Sequence, residues 1–333
     1  MEHASHYQAI VLREYPTHSI DQQTFETRQF EAQPLGAGEF RVKVTHLSLD
    51  PAMRGWVSPD PNSYIPPVAI GEVMRSLGVG EIIESQHSEF PVGARVAGMT
   101  GWTEQLISNG TGLSLLPAGV TPELALSALG MPGQTAIIGY KDVLEAEAGK
   151  TIVVTGAAGA VGSVVVQMAV ADGLNVIALA GSDEKCQWLQ QLGAQGVINY
   201  KSDDIATKLD QFAPNGIDYM FENTGGETQH HVIERINPHG RVAVCGLIAD
   251  YHSAQPALAP SWINLIKRRA RVEGFTITDH FQRAPELIQG LLVYLQQGKL
   301  QHKVHVLEGL ESAKLGVNML FDGSNDGKLL VAI

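Results

Sequence analysis

An apolar run, Ile152 to Thr155, leads into glycines at 156, 159 and 162 and then straight into a second apolar run, VGSVVVQMAVADG (161–173). Each glycine has a separate task if the segment holds an anion on its backbone. Gly156 permits a tight turn, Gly159 lets the main chain approach a pyrophosphate with no Cβ in the way, and Gly162 lets a helix pack closely on the strand before it. Ala158, Ala160 and Val161 fill the rest of the turn, and a diphosphate there would rest on free N–H groups at the positive end of the helix dipole. A bare glycine pattern also suits a structural turn. Here a strand precedes it, a helix follows it, and another strand, NVIALA (175–180), comes one crossover later, which is the context of a dinucleotide site.

The end of that second strand bears on which dinucleotide. An NAD site usually carries Asp or Glu there, roughly 20 residues past the glycines, to accept from the ribose 2′-OH. This chain has Ala180, Gly181 and Ser182 instead, so no carboxylate repels a 2′-phosphate, and Lys185 follows as a cation that can pair with one. Asp183 and Glu184 suit the first turn of the next helix, where the dipole favours acids. NADP rather than NAD is the expectation. An exposed helix lysine is the plainer reading of Lys185 taken alone.

No metal is expected. The two cysteines cannot supply a four-thiolate zinc site, and Cys186 in a helix and Cys245 at the end of RVAVCG (241–246) read as small buried hydrophobes. His230 and His231 are adjacent, and neighbours on a helix point to different faces.

The elements that position these residues differ in texture along the chain. Gln8 to Pro122 carries short apolar runs between Pro and Gly clusters, a pattern of short strands and turns. From about Thr121 to Val304, strands alternate with helix-length segments, which implies βαβ units and a doubly wound parallel sheet. The last stretch returns to short pieces, with the turn FDGSNDGK (321–328) before LLVAI (329–333). The expected division is thus an α/β chain with a β-rich domain over 1–122, completed by 305–333, and a dinucleotide domain over 123–304. The length of 333 residues agrees with two domains. With 23 basic and 35 acidic residues the net charge is −12, and no basic block is present, so nucleic acid is not an expected partner. No run approaches the ~20 apolar residues of a membrane span, and Met1 to Ala9 lacks the layout of a secretory signal. A reducing, cytoplasmic setting is expected.

Taken together, LSLDPAMRGW (47–56), SYIPPVAIGEVM (63–74), ALGMPGQTAIIGY (128–140), VTGAAGAVGSVVVQMA (154–169), GSDEK (181–185), LGAQGVINYK (192–201), FENTGGE (221–227), GRVAVCGLIADY (240–251) and GSNDGK (323–328) resemble, in order, one known family. It is the zinc-free branch of the medium-chain dehydrogenase/reductase superfamily, the group of leukotriene hydroxydehydrogenases, prostaglandin reductases, curcumin reductases and plant double-bond reductases. Where zinc-dependent relatives carry a Cys and a Gly-His-Glu, this chain has the Leu49–Asp50 region and Ile70-Gly71-Glu72. The resemblance implies a GroES-like β-rich domain, a Rossmann domain and an active site in the cleft between them. It implies that Ala158 to Val161 meet the pyrophosphate and that Lys185 and Tyr200 meet the 2′-phosphate end. It places Asn223 and the turn holding Cys245, Gly246, Leu247 and Tyr251 further along the cofactor. Phe275, Thr276 and Ile277 would flank the nicotinamide as backbone, Met131 and Thr135 would border its pocket, and Asn325 would reach the cofactor from the C-terminal segment. Turn and strand-end roles are the plainer readings of Tyr200, Asn223 and Asn325.

The family reaction is hydride transfer from NADPH to the β-carbon of an α,β-unsaturated ketone or aldehyde. The resulting enolate oxygen needs a donor, and a phenol suits it. Tyr64 matches a tyrosine that the family places beside the substrate. Arg54 is a candidate for holding an oxygenated substrate, with a structural ion pair as its alternative. The chain departs from many relatives in carrying Ala52 where they have a tyrosine before the Met-Arg, and Lys267 where some eukaryotic members have another. If Tyr64 does not act, the ribose 2′-OH and a water would have to. Two other readings stay open: an NADPH quinone oxidoreductase, and a cofactor-binding protein with little turnover. ARVEGFTI (270–277) alternates like a late edge strand, and in the family such strands pair two subunits, so a homodimer is expected from the resemblance.

Overall fold

In the computed structural model, residues 6–251 and 257–333 are described. The start of the chain and residues 252–256 lie outside the described residues. The chain folds into two units, one of residues up to Leu126 together with Val304–Ile333, the other Ser127–Lys303. The first break falls past residue 122 because the short helix Pro122–Leu126 buries Leu126 against Val79 and Leu330.

Short runs between turns give the first unit its strands: β1 (His6–Leu12), β2 (Phe25–Glu31), β3 (Phe40–Ser48), β4 (Leu77–Ser85), β5 (Arg95–Met99), β6 (Gln105–Ser108), β7 (Leu113–Leu115), and, after the other unit, β14 (Val304–Glu308) and β15 (Lys328–Ala332). β1 and β2 pair by themselves. The larger sheet runs β14-β15-β3-β4-β5-β7, with β6 on β3, and only β14 and β15 are parallel. Leu47, Leu49, Met53, Trp102 and Val331 share its core. Each such side chain contributes roughly 1.5–3 kcal/mol on burial. A buried ion pair fixes the C-terminal return to this sheet: Lys328 Nζ donates to Asp50 Oδ1 at 2.7 Å and to the Leu49 carbonyl at 2.6 Å.

The second unit is one parallel sheet: β8 (Thr151–Val154), β9 (Asn175–Ala180), β10 (Gly196–Asn199), β11 (Ile217–Glu222), β12 (Ile236–Val244) and β13 (Arg271–Gly274), in the order β10-β9-β8-β11-β12-β13. Its central strands are unbroken apolar runs because helices cover both faces. Val153, Ile177, Leu179, Met220 and Val242 form its core. The segment 270–277 is strand over only four residues, Arg271–Gly274, all exposed. It ends there because Phe275 and Thr276 turn into the 3₁₀ helix Ile277–Arg283, which Thr276 caps by accepting from the Thr278 N–H.

Candidate functional site

The chain order of the parallel sheet reverses between β8 and β11. In such sheets a crevice opens outside the carboxyl ends of the strands at that point. The glycine turn leaves the carboxyl end of β8 there. Gly156 sits at φ +55° and its carbonyl accepts from the Gly159 N–H at 3.0 Å. A Cβ on Gly162 would lie 2.4 Å from the Gly156 carbonyl oxygen and 2.8 Å from Ala157 Cα. Gly162 is therefore demanded by the turn's own backbone rather than by the strand. The main-chain N–H groups of Ala158, Ala160 and Val161 meet no acceptor among the described residues, and the helix Gly162–Ala171 begins directly after them. Unpaired donors on a helix start, in a turn too tight for side chains, form a cradle that fits a diphosphate.

At the end of β9 the small residues matter for a different reason. A Cβ on Gly181 would come within 2.5 Å of the Tyr200 hydroxyl and 3.2 Å of Lys201 Cε. Both side chains thus lie over the bare end of the strand. Ser182 caps the next helix by accepting from the Lys185 N–H at 3.3 Å, which sets Lys185 in its first turn. Asp183 is drawn away from an incoming phosphate: its carboxylate accepts from Asn199 Nδ2 at 2.7 Å. Burial raises the Tyr200 phenol above its ordinary range, keeping it a neutral donor.

Across the switch point, Asn223 stitches the two strand ends together. Its N–H donates to Thr155 Oγ1 and its Nδ2 to the Thr155 carbonyl, both at 2.8 Å. The turn after β12 is hung on the same place. The N–H groups of Cys245 and Gly246 donate to the Glu222 carbonyl, that of Ile248 to Asn223 and that of Ala249 to Thr224. Leu247 N–H reaches the Tyr251 hydroxyl at 3.4 Å. Phe275 sets its ring edge-on to Phe221, centroids 6.1 Å apart. Met131 opens the helix Met131–Ile137, in which the Thr135 hydroxyl donates to the Met131 carbonyl at 2.8 Å. That helix runs into a π-helix, Ile138–Val143, whose Gly139 has no room for a Cβ: it would meet Phe221 at 2.4 Å and Phe275 at 2.6 Å. The close approach ties the Met131–Thr135 segment to Phe275.

Tyr64, Arg54 and Asn325 belong to the first unit. Tyr64 stands 62% exposed in the Pro-rich loop 58–67. Arg54 Nε and Nη2 both donate to the His18 carbonyl, at 3.1 and 2.7 Å, so this side of its guanidinium pairs with backbone rather than with a carboxylate. Asn325 closes its own turn, Nδ2 donating to the Gly327 carbonyl at 2.8 Å.

Two residues of the second unit were not singled out by sequence reasoning. Lys201 is the next residue after Tyr200, and its signal was the NYK end of β10. Glu222 is 1% exposed at the end of β11, and its signal was a carboxyl placed directly before Asn-Thr-Gly-Gly. The cysteines differ from the expectation. Cys186 and Cys245 are only partly buried, Cys186 within the helix Asp183–Gln191 and Cys245 just past the end of β12. Burial nonetheless pushes the Cys245 thiol up to about 12. Among the described residues no three His, Cys, Asp or Glu side chains gather as a metal would need, and no helix is long and apolar enough to cross a membrane.

A parallel sheet with an anion cradle at its switch point, in a chain that also holds a β-rich unit, defines an α/β oxidoreductase of the Rossmann type. Two family models agree, one described as the N-terminal domain of oxidoreductase over residues 8–116, the other as zinc-binding dehydrogenase over 160–292. The chain is 36% identical to prostaglandin reductase 1 of Rattus norvegicus over 95% of each chain, and 34% identical to a 2-alkenal reductase (NADP(+)-dependent) of Nicotiana tabacum over 97% of this chain and 96% of that one. The crystal structure of CurA in complex with NADPH from Vibrio vulnificus superposes with a TM-score of 0.92, at 36% identity and 98% coverage of both chains. The chain belongs to the medium-chain dehydrogenase/reductase superfamily, in the branch of the prostaglandin, curcumin and alkenal reductases.

Proposed function

We propose that this protein is a zinc-independent reductase of the C=C bond of α,β-unsaturated ketones or aldehydes, with NADPH as its cofactor. The observation that carries the reading is the pairing of the unpaired N–H groups at Ala158, Ala160 and Val161 with the carboxylate-free, lysine-flanked end of β9. When bound, the dihydronicotinamide supplies the hydride that adds to the β-carbon of the substrate. The residues of this chain bind and orient. The glycine turn takes the diphosphate on backbone, while Lys185, Lys201 and Tyr200 take the adenosine 2′-phosphate. Asn223, the Cys245–Tyr251 turn, and the Phe275 to Ile277 backbone hold the nicotinamide half, bordered by Met131 and Thr135. Asn325 adds a contact from the C-terminal segment. Tyr64 donates its phenolic hydrogen bond to the substrate oxygen as negative charge develops there, and Arg54 borders the substrate.

Steady-state NADPH oxidation with a panel of enals, enones and quinones tests this reading. The highest kcat/KM belongs to an enal or enone. A quinone preferred over the whole panel, or NADPH binding with no turnover on any member, overturns it.

The β13 edge supports a homodimer. All four of its residues are exposed along the outer edge of the sheet, and Trp262 and Ile266, at and in the helix Ile263–Arg268 that precedes it, are 68% and 72% exposed, apolar surface that a second copy would cover. Sedimentation at micromolar concentration reads a dimer; a monomer removes the pairing. The two free cysteines suit a reducing compartment, and the cytoplasm is the assigned place. Recovery of the protein outside the cytoplasmic fraction would displace it.

A further inference from the structure

Glu222 is a buried acid that the proposed chemistry leaves unused. It closes β11 at the switch point, 1% exposed. One carboxyl oxygen, Oε1, accepts from the Thr155 hydroxyl, from the Thr224 N–H at 2.6 Å and from the Gly225 N–H at 3.0 Å. The other oxygen, Oε2, is buried with no partner among the described residues. The residue's carbonyl meanwhile accepts from Cys245 and Gly246. This one residue therefore holds the end of β8, the turn 223–226 and the start of the 245–251 turn, which are three of the walls of the dinucleotide crevice.

The titratable groups on the turn that closes over it are the Cys245 thiol, the Tyr251 phenol, which accepts from the Leu247 N–H, and Asp250, whose carboxylate faces Gly225; none of the three is a cation. Arg and Lys make no ion pair with it among the described residues. Burial raises the carboxyl above its ordinary range, against the three donors on Oε1, which favour the ionised form. A buried anion with an unpaired oxygen and no cation beside it costs more than a buried hydroxyl with no partner. A diphosphate settling on the neighbouring turn adds negative charge and moves the balance the same way.

We infer that Glu222 is a positioning residue whose carboxyl, kept as the neutral acid, clamps the walls of the crevice around a bound dinucleotide. The inference rests on the dinucleotide reading above. Ionisation of Glu222 sets a second negative charge beside the diphosphate cradle, so affinity falls as pH rises through its raised value. Gln reproduces the neutral acid, since its oxygen accepts the same three donors and its amide replaces the O–H.

The test titrates the full-length wild type and Glu222→Gln with NADP+ from pH 5 to 9. The 2′-phosphate titrates near pH 6 in both proteins and cancels in their ratio. At pH 5.5 the two dissociation constants agree within threefold. Toward pH 9 the wild type weakens at least fivefold relative to Glu222→Gln. Parallel profiles, or a tenfold loss in Glu222→Gln at pH 5.5, overturn the inference. No binding by the wild type at any pH overturns the dinucleotide reading instead. Should Glu222→Gln fail to fold, infrared spectroscopy of the wild-type complex with NADP+ at pH 7 decides. A protonated-carboxyl band supports the neutral acid, and its absence overturns it.

Discussion

The glycine turn after β8 and the loop that carries Tyr64 are both short, irregular and rich in backbone-directing residues, yet they present chemistry in opposite ways. In the turn the proposed ligand atoms are main-chain N–H groups, and a close contact of 2.4 Å at Gly162 forbids any other residue there. In the 58–67 loop the proposed donor is a single phenol, 62% exposed, on a segment held by local bonds such as Asn62 N–H to Asp60 Oδ1 at 2.8 Å. Chemistry carried on backbone survives substitution of the side chains around it, but it tolerates no change of the glycines. Chemistry carried on an exposed side chain can be exchanged without disturbing the fold.

The contrast can be broken most directly at Gly162. Gly162→Val drives a branched side chain into the Gly156 carbonyl and the Ala157 backbone, and NADPH affinity measured by fluorescence titration falls about 100-fold, ~2.8 kcal/mol. An affinity within threefold of wild type would mean that the turn yields, and that the cradle is not set by its glycines.

A smaller effect belongs to the cations at the end of β9, which are side chains serving the backbone-built half. Removing both in Lys185→Ala, Lys201→Ala weakens NADPH about 30-fold and leaves NADH within twofold, as the loss of charge-assisted bonds of about 1.5–3 kcal/mol requires. Equal weakening of the two cofactors would detach these lysines from the 2′-phosphate.

Tyr64→Phe has the smallest expected effect. With an enone it lowers kcat about tenfold, ~1.4 kcal/mol of lost hydrogen bonding in the transition state, while the dissociation constant for NADPH stays unchanged. Unchanged kcat and KM would leave the exposed phenol without a catalytic part and would turn attention to the ribose 2′-OH and water.

The sequence by itself determined what is local. The glycine spacing, the run lengths of strand and helix, the missing acid at the end of β9 and the family's ordered motifs are all written in short stretches, because φ/ψ preferences and side-chain periodicity act over a few residues. The alternation downstream of residue 150 therefore disclosed the parallel sheet. Its exposed edge was legible as well, though the strand proved four residues long where the alternation covered eight.

Tertiary structure decided what depends on distant partners. Lys328 becomes a buried cation only because Asp50, 278 residues earlier, meets it. Lys201 becomes a candidate for the proposed 2′-phosphate contact only because Gly181, just past the neighbouring strand, leaves room above it. Asp183 ceases to oppose a phosphate only because Asn199 claims its carboxylate. Glu222 looks like an ordinary strand-end acid until β8 and the turn after β12 close over it. Burial, charge state and hydrogen-bond partnership are properties of the assembled neighbourhood, and a carboxyl's protonation follows the solvent it loses rather than the residues beside it in the chain.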